Sequence, residues 1–177
     1  SVVAATLLLV LSLFDQVPPS ASDLDIVRES VASDRAFVAN VEKHLPEGGS
    51  LFVEPALDFP EAPRQGKALD YEALRLYLHA SRLRFSYGTD KNRPGAAFAP
   101  AMDALELPDR IRSLAAQGFS GIILTCRALP DDGQELVDEL HRAGYSEMVR
   151  SEDDHFIFVP LRAGARRTPP PASEPRS

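Results

Sequence analysis

The spacing of apolar residues changes period several times along the chain. Ser1 to Phe14 is apolar almost throughout, and Asp15 is the first charge. From Asp34 to Leu45, the residues Phe37, Val38, Val41 and Leu45 recur at helical spacing, and Pro46-Glu47-Gly48-Gly49 stops the helix they predict. Leu51-Phe52-Val53 is a short continuous apolar run, the pattern of a buried strand. Residues 55–70 hold three prolines and little periodicity, which predicts a long loop. Tyr71 to Ala80 reads as a helix with Leu74, Tyr77 and Leu78 on one side. Leu83, Phe85 and Tyr87 alternate with Arg82, Arg84 and Ser86, predicting a half-buried strand. A glycine- and proline-containing loop follows from Gly88 to Ala101.

Pro108 suits the first turn of a helix that turns Ile111, Leu114 and Ala115 inward and ends at Gly118. Gly121 to Cys126 is the clearest buried strand. Asp131 or Asp132 can cap the next helix, whose Leu136, Val137 and Leu140 form a stripe closed by Gly144. Tyr145–Arg150 and His155–Leu161, joined around Glu152-Asp153-Asp154, predict an antiparallel hairpin. This alternation of strand and helix predicts an α/β layered sandwich with a mostly parallel sheet and an antiparallel edge hairpin.

The ends read differently from the middle. The apolar run 1–14 is shorter than the roughly 20 residues a bilayer-spanning helix needs, so it reads as the end of a truncated transmembrane helix. The alternatives are a buried helix of the domain and the h-region of a signal peptide, though Phe14-Asp15-Gln16-Val17 offers no small-x-small cleavage site. Asp15, Asp23 and Asp25 precede the first basic residue, Arg28. Cytoplasmic flanks carry Lys and Arg close to the helix end, so this flank reads as the outside. The expected organisation is a membrane stub at 1–14, a linker at 15–32, an extracytoplasmic α/β domain at 33–161 and a tail at 162–177. Arg162, Arg166, Arg167 and Pro169-Pro170-Pro171 give that tail a basic, proline-rich composition that cannot bury a core.

Composition narrows the chemistry. Hydrophobic residues make up 44% of the chain, enough for a core, and the formal net charge is −7. An acidic balance argues against nucleic acid as a partner, because phosphates require a basic face. A single cysteine excludes an internal disulfide framework and a multi-cysteine zinc site. Cys126-Arg127-Ala128-Leu129-Pro130 lacks the order that formylglycine formation requires, and a small apolar side chain suits the end of a buried strand. Gly118-Phe119-Ser120-Gly121 is not a nucleophile elbow, and it falls in a helix-to-strand turn. No glycine-rich phosphate loop is present. His44, His79, His141 and His155 are scattered, so no metal site or catalytic set is assigned. Glu152-Asp153-Asp154-His155 has ligand types in sequence, but a solvated turn needs the same polarity. The candidate ligand-binding segment is Tyr77, His79, Arg84, Tyr87, Lys91 and Arg93, where aromatic and cationic groups crowd a helix end, a strand and its following loop. Guanidinium and ammonium groups at the carboxyl end of a strand can hold a phosphate or carboxylate.

A family resemblance rests on Asp34-Arg35-Ala36-Phe37-Val38, Leu45-Pro46-Glu47-Gly48 and Phe59-Pro60-Glu61, then Leu78-His79 and Leu83-Arg84-Phe85-Ser86-Tyr87-Gly88 with Lys91 and Arg93. It resumes at Gly118-Phe119-Ser120-Gly121-Ile122, and Asp15-Gln16 fits as well. Over residues 15–161 the chain resembles the C-terminal soluble part of bacterial polytopic membrane proteins of the glycosyltransferase type, also described as phosphoglycerol transferases or sugar translocases. It departs from them at Leu124-Thr125-Cys126-Arg127, where an Asp is expected before the Arg. It departs also at Phe85 and Phe98, where Trp is usual, and at Ala56-Leu57, where a more aromatic stretch is usual. The catalytic acid of such enzymes lies in an early extracytoplasmic loop that this chain does not contain. The resemblance therefore implies a non-catalytic accessory domain at the bacterial inner membrane, facing the periplasm or exterior and needing no cofactor. Its partners would be the membrane, through the stub, the membrane part of the same protein, and a lipid-linked sugar or anionic acceptor. The alternative is a free periplasmic ligand- or partner-binding module released from a signal peptide. A self-contained hydrolase or phosphotransferase is disfavoured by the missing motifs.

Overall fold

A computed structural model describes residues 21–59, 64–68, 71–87, 93 and 95–161, together with Val3, Thr6 and Ser12. Most of the expected membrane stub, Lys91 and the tail 162–177 lie outside the described residues. No helix among the described residues is long and apolar enough to cross a membrane. The chain divides into two compact units, Ser1–Ala32 and Ser33–Ser177. In the first, Leu24, Ile26, Val27 and Val31 are exposed, and Arg28 pairs with Asp25 at 3.0 Å.

The second unit is an α/β domain built on a five-stranded mixed sheet in the order β2-β1-β3-β5-β4. The strands are β1 (Ser50–Glu54), β2 (Arg84–Phe85), β3 (Phe119–Thr125), β4 (Val149–Arg150) and β5 (Phe156–Pro160). Both neighbours of β1 run parallel to it, with Leu51 opposite Phe85 on one side and Gly121 on the other. Along β5 the direction reverses. Ile123 faces Phe158, Thr125 faces Phe156, and β4 closes the edge as the expected hairpin.

Helices cover both faces. The part of helix α1 (Ala21–His44) from residue 33 onward and a 3-10 helix (Glu72–Leu78) lie over one face. There Phe37, Val38, Val41, Ala73 and Leu76 meet Leu51, Val53, Ile123, Phe156 and Phe158. Three helices, α2 (Phe98–Asp103), α3 (Leu107–Ala116) and α4 (Gln134–Arg142), lie over the other. There Leu107, Ile111, Leu114, Val137 and Leu140 meet Phe52, Ile122, Leu124, Ile157 and Val159. A sheet buried on both faces explains why β1 and β3 read as unbroken apolar runs rather than alternating ones.

Local chemistry sets the boundaries. Pro108 sits in the first turn of α3, where its missing N–H costs nothing, and Gly118 at φ +84° ends that segment. Gly133, not the expected Asp131 or Asp132, is the N-cap of α4, while the Asp131 carboxylate accepts the Glu135 N–H of its first turn at 3.0 Å.

Several elements differ from their expected form: residues 98–101 of the expected loop belong to the helix α2, and the arm expected over Tyr145–Arg150 pairs only at Val149–Arg150. α1 begins at Ala21, so residues 21–32 of the expected linker are helical. The segment expected as a helix from Tyr71 is a 3-10 helix, entered through Tyr71 in the left-handed region at φ 62°. The alternating segment 82–87 pairs as a strand only at Arg84–Phe85.

Candidate functional site

Of the sequence-nominated residues, the structure places Tyr77, Arg84 and Tyr87 around the edge of β2, in roles that are largely architectural, while Lys91 lies outside the described residues. The Tyr77 hydroxyl donates to the carbonyls of Phe85 at 3.2 Å and Tyr87 at 3.0 Å, and its ring lies 4.7 Å from that of Phe85. Arg84 and Ser86 turn their N–H groups to β1. The carbonyls of 85 and 87 therefore face outward, and Tyr77 covers this edge as an added strand would. Arg84 donates through Nε and Nη2 to the Gly48 carbonyl at 3.1 and 2.8 Å, pinning the turn after α1. Tyr87 is buried against Phe59, edge to face at 6.1 Å. His79 is half-buried, and its N–H closes the 3-10 helix onto Leu76. Arg93 is exposed. Among the described residues, neither the His79 nor the Arg93 side chain shares a hydrogen bond or ion pair with this group.

A crevice of about 180 Å³ opens beside this edge, between β2 and α2. Phe85, Ser86, Tyr87, Phe98 and Phe119 line it, and among the described residues none of the nominated cations does.

A denser polar assembly stands at the carboxyl end of β3, the side of an open α/β sheet where ligands gather. Four segments contribute to it. From α1 come Ser33 and Asp34, both nearly inaccessible. The 3-10 helix supplies Glu72, which is buried, and Arg75. Arg127 follows β3 directly. The β4–β5 hairpin turns Ser151, Asp153 and His155 inward and leaves Glu152 and Asp154 exposed.

Arg75 is the hub. Its Nε and Nη2 clamp the two oxygens of Asp34 at 2.8 Å each. Nη2 also reaches Asp153 at 3.3 Å, and Nη1 lies 2.9 Å from His155 Nδ1. The guanidinium rests 5.5 Å above the Phe156 ring. Burial disfavours the charge on Arg75, but the hydrogen bonds and charge of Asp34 outweigh it and leave its pKa raised. Burial likewise pushes the Asp153 carboxyl up. Hydrogen bonds from the Ser151 hydroxyl and the His155 N–H, with the charge of His155, outweigh it and hold the carboxyl below its ordinary range. Glu72 Oε1 faces His155 Nδ1 at 3.5 Å, Arg75 at 3.8 Å and Arg127 Nε at 4.0 Å.

Arg127 is fixed by reciprocal contact with the 64–68 loop. Its Nη2 donates to the Lys67 carbonyl at 2.9 Å, and its own carbonyl accepts the Lys67 N–H at 2.7 Å. Gly66 permits this approach, since a Cβ there would stand 2.5 Å from the Arg127 carbonyl oxygen at a φ of +55°.

A smaller pair stands at the end of β1. Glu54 contacts Arg110 of α3, which also donates to the carbonyls of Asp103 at 3.1 Å and Leu105 at 2.7 Å. The pair therefore staples the turn before α3 to the sheet. Burial pushes the Glu54 carboxyl up against the pull of Arg110. Its Oε2 has no hydrogen-bond partner among the described residues.

Two hydroxyls beside the network are engaged: Ser151 donates to Asp153 at 2.7 Å and accepts the Phe156 N–H at 3.0 Å, and Ser33 accepts the Asp153 N–H at 3.3 Å; the buried Thr125 hydroxyl at the end of β3 has no hydrogen-bond partner among the described residues. Burial pushes the Cys126 thiol up to about 11, which keeps it a protonated core side chain. Among the described residues, no group of three or more His, Cys, Asp or Glu is placed to hold a metal ion.

Sequence reasoning passed over Asp34, Glu72, Arg75 and Arg127. One signal was present: Asp34 stands at helical spacing with Val38 and Val41, a carboxylate inside an apolar stripe. No family model, no curated protein and no solved structure matches the chain.

Proposed function

We propose that this chain supplies the extracytoplasmic, non-catalytic accessory domain of a multi-spanning bacterial membrane protein of the glycosyltransferase type. In this reading the domain faces the periplasm or exterior and helps position a lipid-linked donor or an anionic acceptor. The observation that carries it is the ion network at the carboxyl end of β3. There acids, bases and hydroxyls are spent on one another, around Arg75 and Asp34, while an arginine and a histidine remain partly open to solvent. Such an assembly suits holding a charged group in place, and it offers no activated nucleophile. The sequence resemblance over residues 15–161 and the acidic flank after the apolar stub support the membrane context.

The test is made in the parental membrane protein lacking residues 33–161. The expected result is normal membrane insertion with saccharide transfer reduced by about ten-fold or more, the scale on which misplaced substrate lowers rate. Unchanged transfer at equal protein level would refute the reading.

A further inference from the structure

We propose that His155 is a proton-operated latch at the carboxyl end of β3: its neutral ring holds Arg127, and through Arg127 the 64–68 loop, and protonation at Nε2 releases both. The inference goes beyond the accessory-domain reading and does not depend on it, because it rests on where the partners of one ring stand.

The two nitrogens of His155 face different company. Around Nδ1 lie Asp153 Oδ2 at 3.2 Å, Glu72 Oε1 at 3.5 Å and Arg75 Nη1 at 2.9 Å. Beside Nε2 stands Arg127 Nη1, at 3.3 Å. A guanidinium only donates, and a neutral imidazole has one donor and one acceptor nitrogen. Two carboxylates beside Nδ1 draw the proton there, which leaves the Nε2 lone pair to accept from Arg127. Arg75 has other acceptors, in Asp34 and Asp153. A second proton must therefore sit on Nε2. The cationic ring has no acceptor left, and it turns an N–H toward the N–H of Arg127. One hydrogen bond is lost, and two like charges meet in its place.

The surrounding charges keep the change local. From α1 comes Asp34, clamped by Arg75. The 3-10 helix brings Glu72 and Arg75, the segment after β3 brings Arg127, and the hairpin brings Asp153. Glu152 and Asp154 of the hairpin are exposed, and Lys67 of the loop turns to exposed Asp132 at 2.7 Å. Three carboxylates thus stand against two guanidiniums around the neutral ring, so an added positive charge is accommodated and the clamp on Asp34 persists. The ring is 22% exposed, which lets a proton reach it from solvent. Arg127 is the part that moves. Its Nη2 donates to the Lys67 carbonyl at 2.9 Å from the guanidinium whose Nη1 serves His155, so one fork joins ring and loop. Glu72, 4.0 Å from Arg127 Nε, gives the released guanidinium a direction to turn.

The experiment titrates the full 177-residue chain across the ordinary histidine range, about pH 5 to 8. NMR follows the His155 ring nitrogens and the hydrogen exchange of the Lys67 amide, whose N–H the Arg127 carbonyl accepts at 2.7 Å. Exchange is expressed relative to the intrinsic rate at each pH. At the alkaline end the ring should carry its proton on Nδ1. As Nε2 gains a proton, Lys67 protection should fall with the same midpoint, by about ten-fold or more, the scale of a lost hydrogen bond to a charged group. The amide of Ile123, buried in β3, should stay protected throughout, which separates release of the loop from unfolding. In Arg127→Gln the ring should still titrate while Lys67 no longer follows it. His155→Gln keeps an acceptor oxygen without a titrating proton and should hold Lys67 protection constant. If that variant does not fold, the wild-type comparison of Lys67 with Ile123 decides by itself. A ring that keeps one protonation state, a neutral ring protonated on Nε2, Lys67 protection indifferent to the ring, or joint loss at Lys67 and Ile123 would each overturn the proposal.

Discussion

Replacing Arg75 by Met keeps an unbranched side chain of similar reach and removes the charge at the centre of the network, including the guanidinium over Phe156. The variant loses both 2.8 Å bonds to Asp34 and the contact with Asp153. The Asp34 side chain, 3% exposed, is then left without its counter-ion. Breaking a buried pair from one side costs about 3–5 kcal/mol, because the remaining charge stays desolvated. Arg75 is itself 23% exposed, so solvent can relax part of that penalty, and the lower end, about 3 kcal/mol, is expected. For a chain of this size that corresponds to a fall of roughly 6–12 °C in thermal midpoint. Urea unfolding followed by far-ultraviolet circular dichroism measures it, with Asp34→Asn and the double variant completing a cycle. The double variant should lose distinctly less than the sum of the singles, since each single orphans the other's partner. Added salt should change the coupling little, as the pair is shielded from solvent. A loss below about 1 kcal/mol, in the range of exposed ion pairs, or an additive cycle would refute the argument.

Three further outcomes follow from the core and the strand ends. Gly121→Ala should destabilise the domain by about 1–3 kcal/mol or more through overpacking. Its Cβ would stand 2.3 Å from the Phe158 ring and 3.0 Å from the Val159 carbonyl, and an unchanged urea midpoint would contradict this packing. Cys126, with its thiol pushed up to about 11 and buried, should resist alkylation at mildly alkaline pH in the folded chain and react promptly in denaturant; equal rates in both would show the site open. Glu54 has a folded-state pKa above its unfolded value, so its contribution is full below the unfolded pKa and is lost as pH rises through the folded one. Wild type should therefore lose stability relative to Glu54→Gln between the acidic carboxylate range and neutrality, and parallel stability–pH curves for the two proteins would contradict that sign.

Much of the sheet was legible because buried parallel strands leave a simple trace. Leu51-Phe52-Val53 and Gly121-Ile122-Ile123-Leu124 must be apolar on both faces. The hairpin 149–160 was legible for a related reason, a polar tip between two apolar arms. β2 was over-extended, since alternation at 82–87 records which side chains are covered but not which backbone groups are paired. The carbonyls that a longer strand would offer a neighbour are taken by the Tyr77 hydroxyl.

The network was hidden for another reason. Asp34, Glu72, Arg75, Arg127, Asp153 and His155 come from distant segments, and each alone resembles a residue of a solvated face. The opposite charge that makes their burial tolerable is visible only once the chain is folded. The sequence pointed to a cationic group near a strand end, and the structure offers one. It is Arg127 after β3, whereas Arg84 is spent on the Gly48 carbonyl.

In the proposed reading, the carboxyl end of β3, and not the edge of β2, is the working surface of an accessory domain. The direct measurement is saccharide transfer by the parental membrane protein carrying Arg127→Gln or Arg84→Gln, at matched membrane abundance and with native-like resistance to proteolysis. The account predicts that Arg127→Gln lowers transfer while Arg84→Gln leaves it near wild type. Loss with Arg84→Gln alone, or full transfer with Arg127→Gln, would contradict it.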